Sequence, residues 1–379
     1  METSSGGSNR SGLGVGAVLI AVVLIGVIVA AVILGRGGGG APFAGGAKTV
    51  KVVMGSEKLP YFSDPAVINR LDELGLKVEA TPSGSRKIAT RADLKNFDAA
   101  FPSSATAAEK IARETQPQGT YTPFHSPMAI ATFEPILSAL EREQVAQQKG
   151  GVWYINVEKY LELAKSGKRW RDIAPDFPSP LTVQISSTDI RSSNSAAMYL
   201  SIAAWVANGG NVPATDAEVE KVVQEVSPLF THQGYTGGSS AGPFAEYLSQ
   251  GIGARPMVMI YEAQFIGQQL EAPNPTDMLA YLDPTMSSQH TVLSYTDEGS
   301  ALGDALQHDP ELQKLAARHG FRPNTPGIFN QELQQAGVTP PPEFLPTVNP
   351  PDFERLEQLI EGVAAQYNST APPEGAPEQ

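Results

Sequence analysis

The 379-residue chain is 41% hydrophobic, enough apolar material for one or two packed domains. A net charge of −13 argues against a nucleic-acid partner, which would need a basic face to neutralise phosphates. With no cysteine, the chain has no disulfide, thiol nucleophile, thiolate metal centre or lipidated cysteine, so any hold on a membrane must come from the peptide itself.

The run LGVGAVLIAVVLIGVIVAAVIL, residues 13–34, is uncharged and would rise about 33 Å as a helix, close to the hydrocarbon thickness of a bilayer. It predicts a transmembrane helix over residues 13–35 behind a 12-residue cytoplasmic stub, leaving a single-pass protein at the cell membrane with its C-terminal domain extracellular. A cleaved signal peptide is the rival, because APFAGGA offers small residues to a peptidase, but apolar cores of signal peptides are shorter, about 7–15 residues. Arg10 and Arg36 flank the run almost symmetrically and give little orientation signal. Residues 36–47 are glycine-rich and read as a flexible tether.

The folded domain is expected from Lys48. TVKVVM reads as a buried strand, PAVINRLDELG as a helix with Val67, Leu71 and Leu74 on one face and a stop at Gly75, and LKVEATP as a second strand. FDAAFPSSATAAEKIARE gives a third strand, a small-residue loop and a helix. SPMAIATFEPILSALERE runs from strand into helix, and TVQI is a strand before the polar turn SSTDIRSSNS and an apolar helix ended by Gly209 and Gly210. PMVMIYE and HTVLSY read as further strands, with a helix through ALGDALQHDPELQKLAARHG. Beyond Phe321 the proline-rich chain is expected to run extended to a docked helix, FERLEQLIEGVAAQY, and a disordered tail over residues 371–379. This alternation is the grammar of a doubly wound α/β sheet.

Three polar clusters fall where such sheets place ligands, after strand ends and at helix starts. The first is Gly55, Ser56, Glu57 and Lys58; the second is Pro102, Ser103 and Ser104; the third spans residues 186–195 and includes Thr188, Asp189, Arg191, Ser192, Ser193 and Asn194. Each is open to a plainer reading as helix caps and turn formers. Arg191, followed by four small polar residues, would position an anionic group, unless Asp189 and Arg191 simply pair with each other at the surface. Glu262, at the end of PMVMIYE, is a candidate for the cleft or a solvated strand-end carboxylate.

The segments ISSTDIRSSNSAAMYLSIAAW and YLDPTMSSQHTVLSYTDEGSALGDALQHDPELQKLAARHGFRP resemble bacterial extracellular solute-binding proteins of the sulfate- and molybdate-binder type. The resemblance implies an α/β, two-lobed type II periplasmic-binding-protein-like fold. Residues 48–125 and 288–323 would form one lobe and 126–287 the other, followed by 324–370 as an extended segment and C-terminal helix. It implies a small polar, anion-bearing ligand held between Ser56, Glu57, Ser103 and Ser104 on one wall and Thr188, Asp189, Arg191, Ser192, Ser193 and Asn194 on the other, with Glu262 beside the hinge. A membrane transporter or sensor would be the partner, with no cofactor, metal or catalytic residue. Two other readings are weighed against it. In one, Gly238, Ser240 and Gly242 match the G-x-S-x-G elbow of serine hydrolases, with His290 and Glu262 or Asp283 completing a triad, although HQGYTGG before it is not a strand. In the other, the fold is a ligand-free interaction scaffold. The five histidines lack metal-ligand spacing.

Overall fold

The computed structural model describes residues 46–233 and 237–369. The expected anchor at residues 13–35, the stub, most of the tether and the tail lie outside them. Among the described residues no helix is long and apolar enough to cross a membrane.

Valine-rich β1 (Lys48–Met54) pairs in parallel with β2 (Leu76–Pro82) on one side and β3 (Ala99–Phe101) on the other. Its side chains alternate as a strand buried on both faces requires: Val50, Val52 and Met54 pack with Tyr61, Val67 and Leu302, while Val53 packs with Ile88 and Ile111. The helix Pro65–Glu73 after β1 ends at Leu74, and Gly75 takes φ +76°, the left-handed turn that returns the chain to β2. Val67 and Leu71 are buried as expected, whereas Leu74 is exposed.

The central element is β4 (Gly119–Phe133), fifteen residues long. From Gly119 to Pro127 it pairs antiparallel with β9 (Ser287–Ser294), and β10 (Arg322–Pro323) joins it at Phe124 and His125. From Met128 onward it changes partners, to β7 (Val258–Tyr261) and β8 (Asp277–Asp283). β5 (Ala146–Lys149) and β6 (Val152–Asn156) complete the order β2-β1-β3-β9-β4-β8-β6-β5. One strand thus belongs to two sheet regions, its partners changing between Pro127 and Met128. The first region packs Phe124, Phe321 and Leu312 beneath it; the second has its own large core around Leu140, Tyr160, Trp170 and Tyr199.

Three expectations fail for definable reasons. TVQI forms no ladder: Thr182 makes an isolated bridge to Arg169, and Ser186 just beyond it makes another to Val258. The helix expected through residues 301–320 is two helices, Asp297–His308 and Pro310–Arg318, because Asp309 caps the second with its carboxylate and Pro310 cannot donate to the first. The segment after Phe321 contains a helix, Ile328–Gln335, before it runs extended along the crossing, where Thr285 bonds the Pro346 carbonyl.

The last helix, Phe353–Ser369, docks as expected and spans both regions. Phe353 packs with Ile88 and Ala108 of the first, whereas Leu356, Leu359, Ile360 and Val363 enter the core of the second. Arg86 forms a bidentate pair with Glu357, both contacts at 2.6 Å. Leu359→Ala is expected to lower the unfolding free energy by about 2–5 kcal/mol, as for other fully buried leucines. A loss below about 0.5 kcal/mol in urea titration would show that the helix does not hold the two regions together.

Candidate functional site

Loops leaving the C-terminal ends of β1, β3 and β7 meet the start of the helix Asn194–Ala207 and one end of β9. At this meeting point lies Lys58, fully buried. Its ammonium donates to Glu57 Oε1 at 2.6 Å and Ser103 Oγ at 2.6 Å, lies 3.2 Å from His290 Nδ1 and sits 4.7 Å over the Phe101 ring. Ser103 Oγ in turn donates to the Glu57 carboxylate. Three neighbours fix Ser103: its amide donates to Ser85 Oγ, and its carbonyl accepts from Ser288 Oγ at 2.7 Å and Asn194 Nδ2 at 3.0 Å. Asn194 also donates to the Tyr261 hydroxyl at 3.1 Å.

The electrostatics follow from burial opposed by pairing. Burial lowers the Lys58 pKa, and the Glu57 charge opposes it. For Glu57, burial pushes the carboxyl up, but the Lys58 charge and the hydrogen bonds from Lys58 and Ser103 outweigh it and hold the group below the ordinary carboxylate range. The two form a charged pair. Burial, reinforced by the Lys58 charge, holds His290 well below the usual imidazole range, and burial followed by Arg322 brings His125 down to about 4.

Glu57 and Tyr261 also floor a cavity of about 1030 Å³, at the top of the range for small-molecule pockets. Its walls come from Pro60 to Pro65, from Ala241 to Leu248, from Ala263 to Glu271 and from Arg318 to Ala336. The opposite side of the crevice is shut. There Arg86 donates to the carbonyls of Ile190 and Arg191, and Gly84 lies so close to the Ser192 carbonyl that an added Cβ would sit 3.3 Å from it.

Of the residues singled out in the sequence, Glu57, Ser103 and Asn194 converge here. Ser104 caps the helix Ala105–Thr115, the plainer of its two readings, and Ser56 is exposed. Thr188 and Ser193 are buried and closed into a hydroxyl knot with Ser195, Thr188 lying 2.6 Å from Ser193 and 2.9 Å from Ser195. Ser192 lies against Gly238. Arg191 pairs with Asp189 at 2.5 Å and stacks over Tyr367 of the last helix, which is the surface pairing rather than the convergence on the cluster.

Glu262 requires a correction: it is neither solvated nor in the crevice. It is fully buried in a bidentate pair with Arg322, at 2.7 and 2.6 Å, and accepts from the Tyr281 hydroxyl at 2.5 Å. The hydrolase constellation is not assembled, because Ser240 donates to Gln264 while His290 is engaged with Lys58 and Ser288. Among the described residues no group of three or more His, Asp and Glu side chains could hold a metal.

Sequence reasoning placed Lys58 in the first polar cluster without giving it a ligand role, considered His290 only for the hydrolase reading, and missed Tyr261, Ser85 and Ser288. Lys58 carried a signal, since a lysine directly after a buried strand end is aimed at the crevice of an α/β sheet. His290 carried none, as the alternation of HTVLSY places it without saying what it faces.

Folded His290 and His125 stay neutral where unfolded histidines protonate. As pH falls below about 6.5 the unfolded state therefore takes up protons that the folded state refuses, and stability is lost at up to about 1.4 kcal/mol per pH unit for each group. Glu57 adds a dependence of the same sign in a lower window: its depressed pKa contributes stability that is lost as pH falls below the ordinary carboxylate value of about 4.3. Urea unfolding between pH 7 and 5 should show falling stability, with a flatter slope in His290→Gln. An unchanged slope would mean that His290 protonates freely in the folded protein.

No family model and no curated protein matches the chain. Solved structures do. A periplasmic thiamin binding protein is 12% identical over 90% of this chain and 100% of its own length, with a TM-score of 0.56. An ABC transporter structure from Clostridium perfringens ATCC 13124 is 13% identical over 84% and 99%, and a ferric binding protein from Campylobacter jejuni is 11% identical over 84% and 98%, each with a TM-score of 0.50. At such identities the likeness establishes the fold, and this chain has the α/β fold of the extracellular and periplasmic solute-binding proteins.

Proposed function

We propose that the protein is an extracytoplasmic solute-binding protein, tethered by residues 13–35, that closes two lobes on a small polar ligand bearing an anionic group. The lobes are residues 48–125 with 288–323, and 126–287. The observation that carries this reading is the fully buried Lys58 ammonium paired at 2.6 Å with Glu57, a residue that lines an open cavity of about 1030 Å³. A buried charge is costly and is usually kept where it has a task. The cavity is lined from both lobes, by Glu57 to Pro65 and by Ala241 to Glu271, as a ligand-closed cleft requires. The same reading gives the extracellular domain a transporter or sensor in the membrane as its partner. The neighbours in fold include a protein described as binding thiamin and another as binding ferric ion, so the shared architecture leaves ligand class to the local side chains.

Native mass spectrometry of the full-length protein from its own host should reveal a bound small molecule that denaturation releases. Ala245 is exposed on the cavity wall, and Ala245→Trp puts an indole into that space without entering the core. That variant should fold and lack the bound mass. An empty wild-type protein, or a variant that retains the ligand, would contradict the reading.

A further inference from the structure

The Lys58 ammonium and the Ser103 hydroxyl point at one oxygen, Oε1 of Glu57. That carboxylate folds back over Gly55, whose missing side chain makes the space: a Cβ there would lie 2.2 Å from Oε1 and 2.5 Å from Oε2. Two donors around a bare backbone shelf make a seat for an oxyanion, and the chain fills it with its own side chain. We infer that Glu57 is a displaceable internal occupant of an oxyanion seat formed by Lys58, Ser103 and Gly55, and that the ligand's carboxylate or other oxyanion exchanges with it. This rests on the solute-binding reading and assigns the anionic group of its ligand a place between Lys58 and Ser103.

The other members of the cluster stay in place when Glu57 leaves. Ser103 is fixed by Ser85, Ser288 and Asn194, none of which bonds to Glu57. Lys58 is fully buried, whereas the Glu57 side chain is 16% exposed and lines the cavity, so it can swing outward into the space from which a ligand arrives. It stands on a single 3-10 turn, Ser56–Lys58. His290 is a neutral neighbour and cannot replace the lost charge. Replacement of one oxyanion by another keeps the seat neutral overall, whereas a cationic or uncharged ligand would leave Glu57 where it is.

Inorganic sulfate is the probe, measured by equilibrium dialysis of radiolabelled sulfate against the full-length protein. Glu57→Gln removes the competing carboxylate and leaves the Lys58 charge in the seat, and should bind sulfate at least about ten-fold more tightly than wild type. Glu57→Gln/Lys58→Met, which has neither charge, should bind no more than wild type does. Equal affinity in wild type and Glu57→Gln, or undiminished binding in the double variant, overturns the inference. If Glu57→Gln does not fold in chloride, its refolding yield becomes the readout. Recovery in sulfate at matched ionic strength supports the seat, and equal failure in both salts overturns it. The two proposals fail separately. A ligand lost in Ala245→Trp together with no gain in sulfate binding would retain solute binding and remove the seat, and the converse result would do the reverse.

Discussion

A protonated lysine with no access to water sets the terms for the centre of this molecule. Taking an ammonium out of water costs several kcal/mol after relaxation, so Lys58 must be met by charge and by oriented acceptors. Glu57 supplies the charge, Ser103 a hydroxyl, and Phe101 a π face. Meeting that demand draws together the ends of β1 and β3, one end of β9 and, through Ser103 and Asn194, the start of the helix Asn194–Ala207. The crevice between the two sheet regions is thereby lined with polar groups already held in position. Its remaining opening, floored by Glu57 and Tyr261, is large enough for a small organic molecule.

Around this point the architecture combines continuity with division. β4 runs unbroken through both sheet regions and changes partners between Pro127 and Met128. The Glu262–Arg322 pair, satisfied by Tyr281 and by carbonyls of Pro342 and Glu343, locks the end of β7 to β10 next to that change. The last helix adds a second tie, with apolar side chains in both cores and the Arg86–Glu357 pair at its flank. Rotation of one region against the other would leave β4 intact. It would have to part Asn194 from the Ser103 carbonyl and Arg86 from those of Ile190 and Arg191.

The legible parts of the sequence were those with strong, local patterns. β1, β2 and β7 are apolar runs with turn residues at their ends, and the helix Pro65–Glu73 has both its apolar stripe and Gly75. β5 and β8 escaped notice because AQQK and DMLAYLD owe their pairing to β6 and β4 rather than to their own composition. TVQI had the composition of a strand but finds only an isolated bridge, Thr182 to Arg169, instead of a ladder. The site divides in the same way. Glu57, Ser103 and Asn194 were found because strand ends and helix starts gather ligands, a rule of topology. Arg191 looked similar in sequence, yet Asp189 two residues earlier captures it, and Glu262 found a buried guanidinium sixty residues away. Side-chain partners across such distances leave no mark in a single sequence.

The claim that two lobes close on a small molecule is tested most directly by a distance between them. Because the chain has no cysteine, Ile68→Cys and Leu181→Cys, exposed positions on the first and second regions, would carry the only spin labels. Pulsed electron resonance should give a longer or broader distance distribution after the ligand is stripped by denaturation, dialysis and refolding. The original distribution should return when the released low-mass fraction is added back. Identical distributions in the stripped and replenished protein would contradict closure.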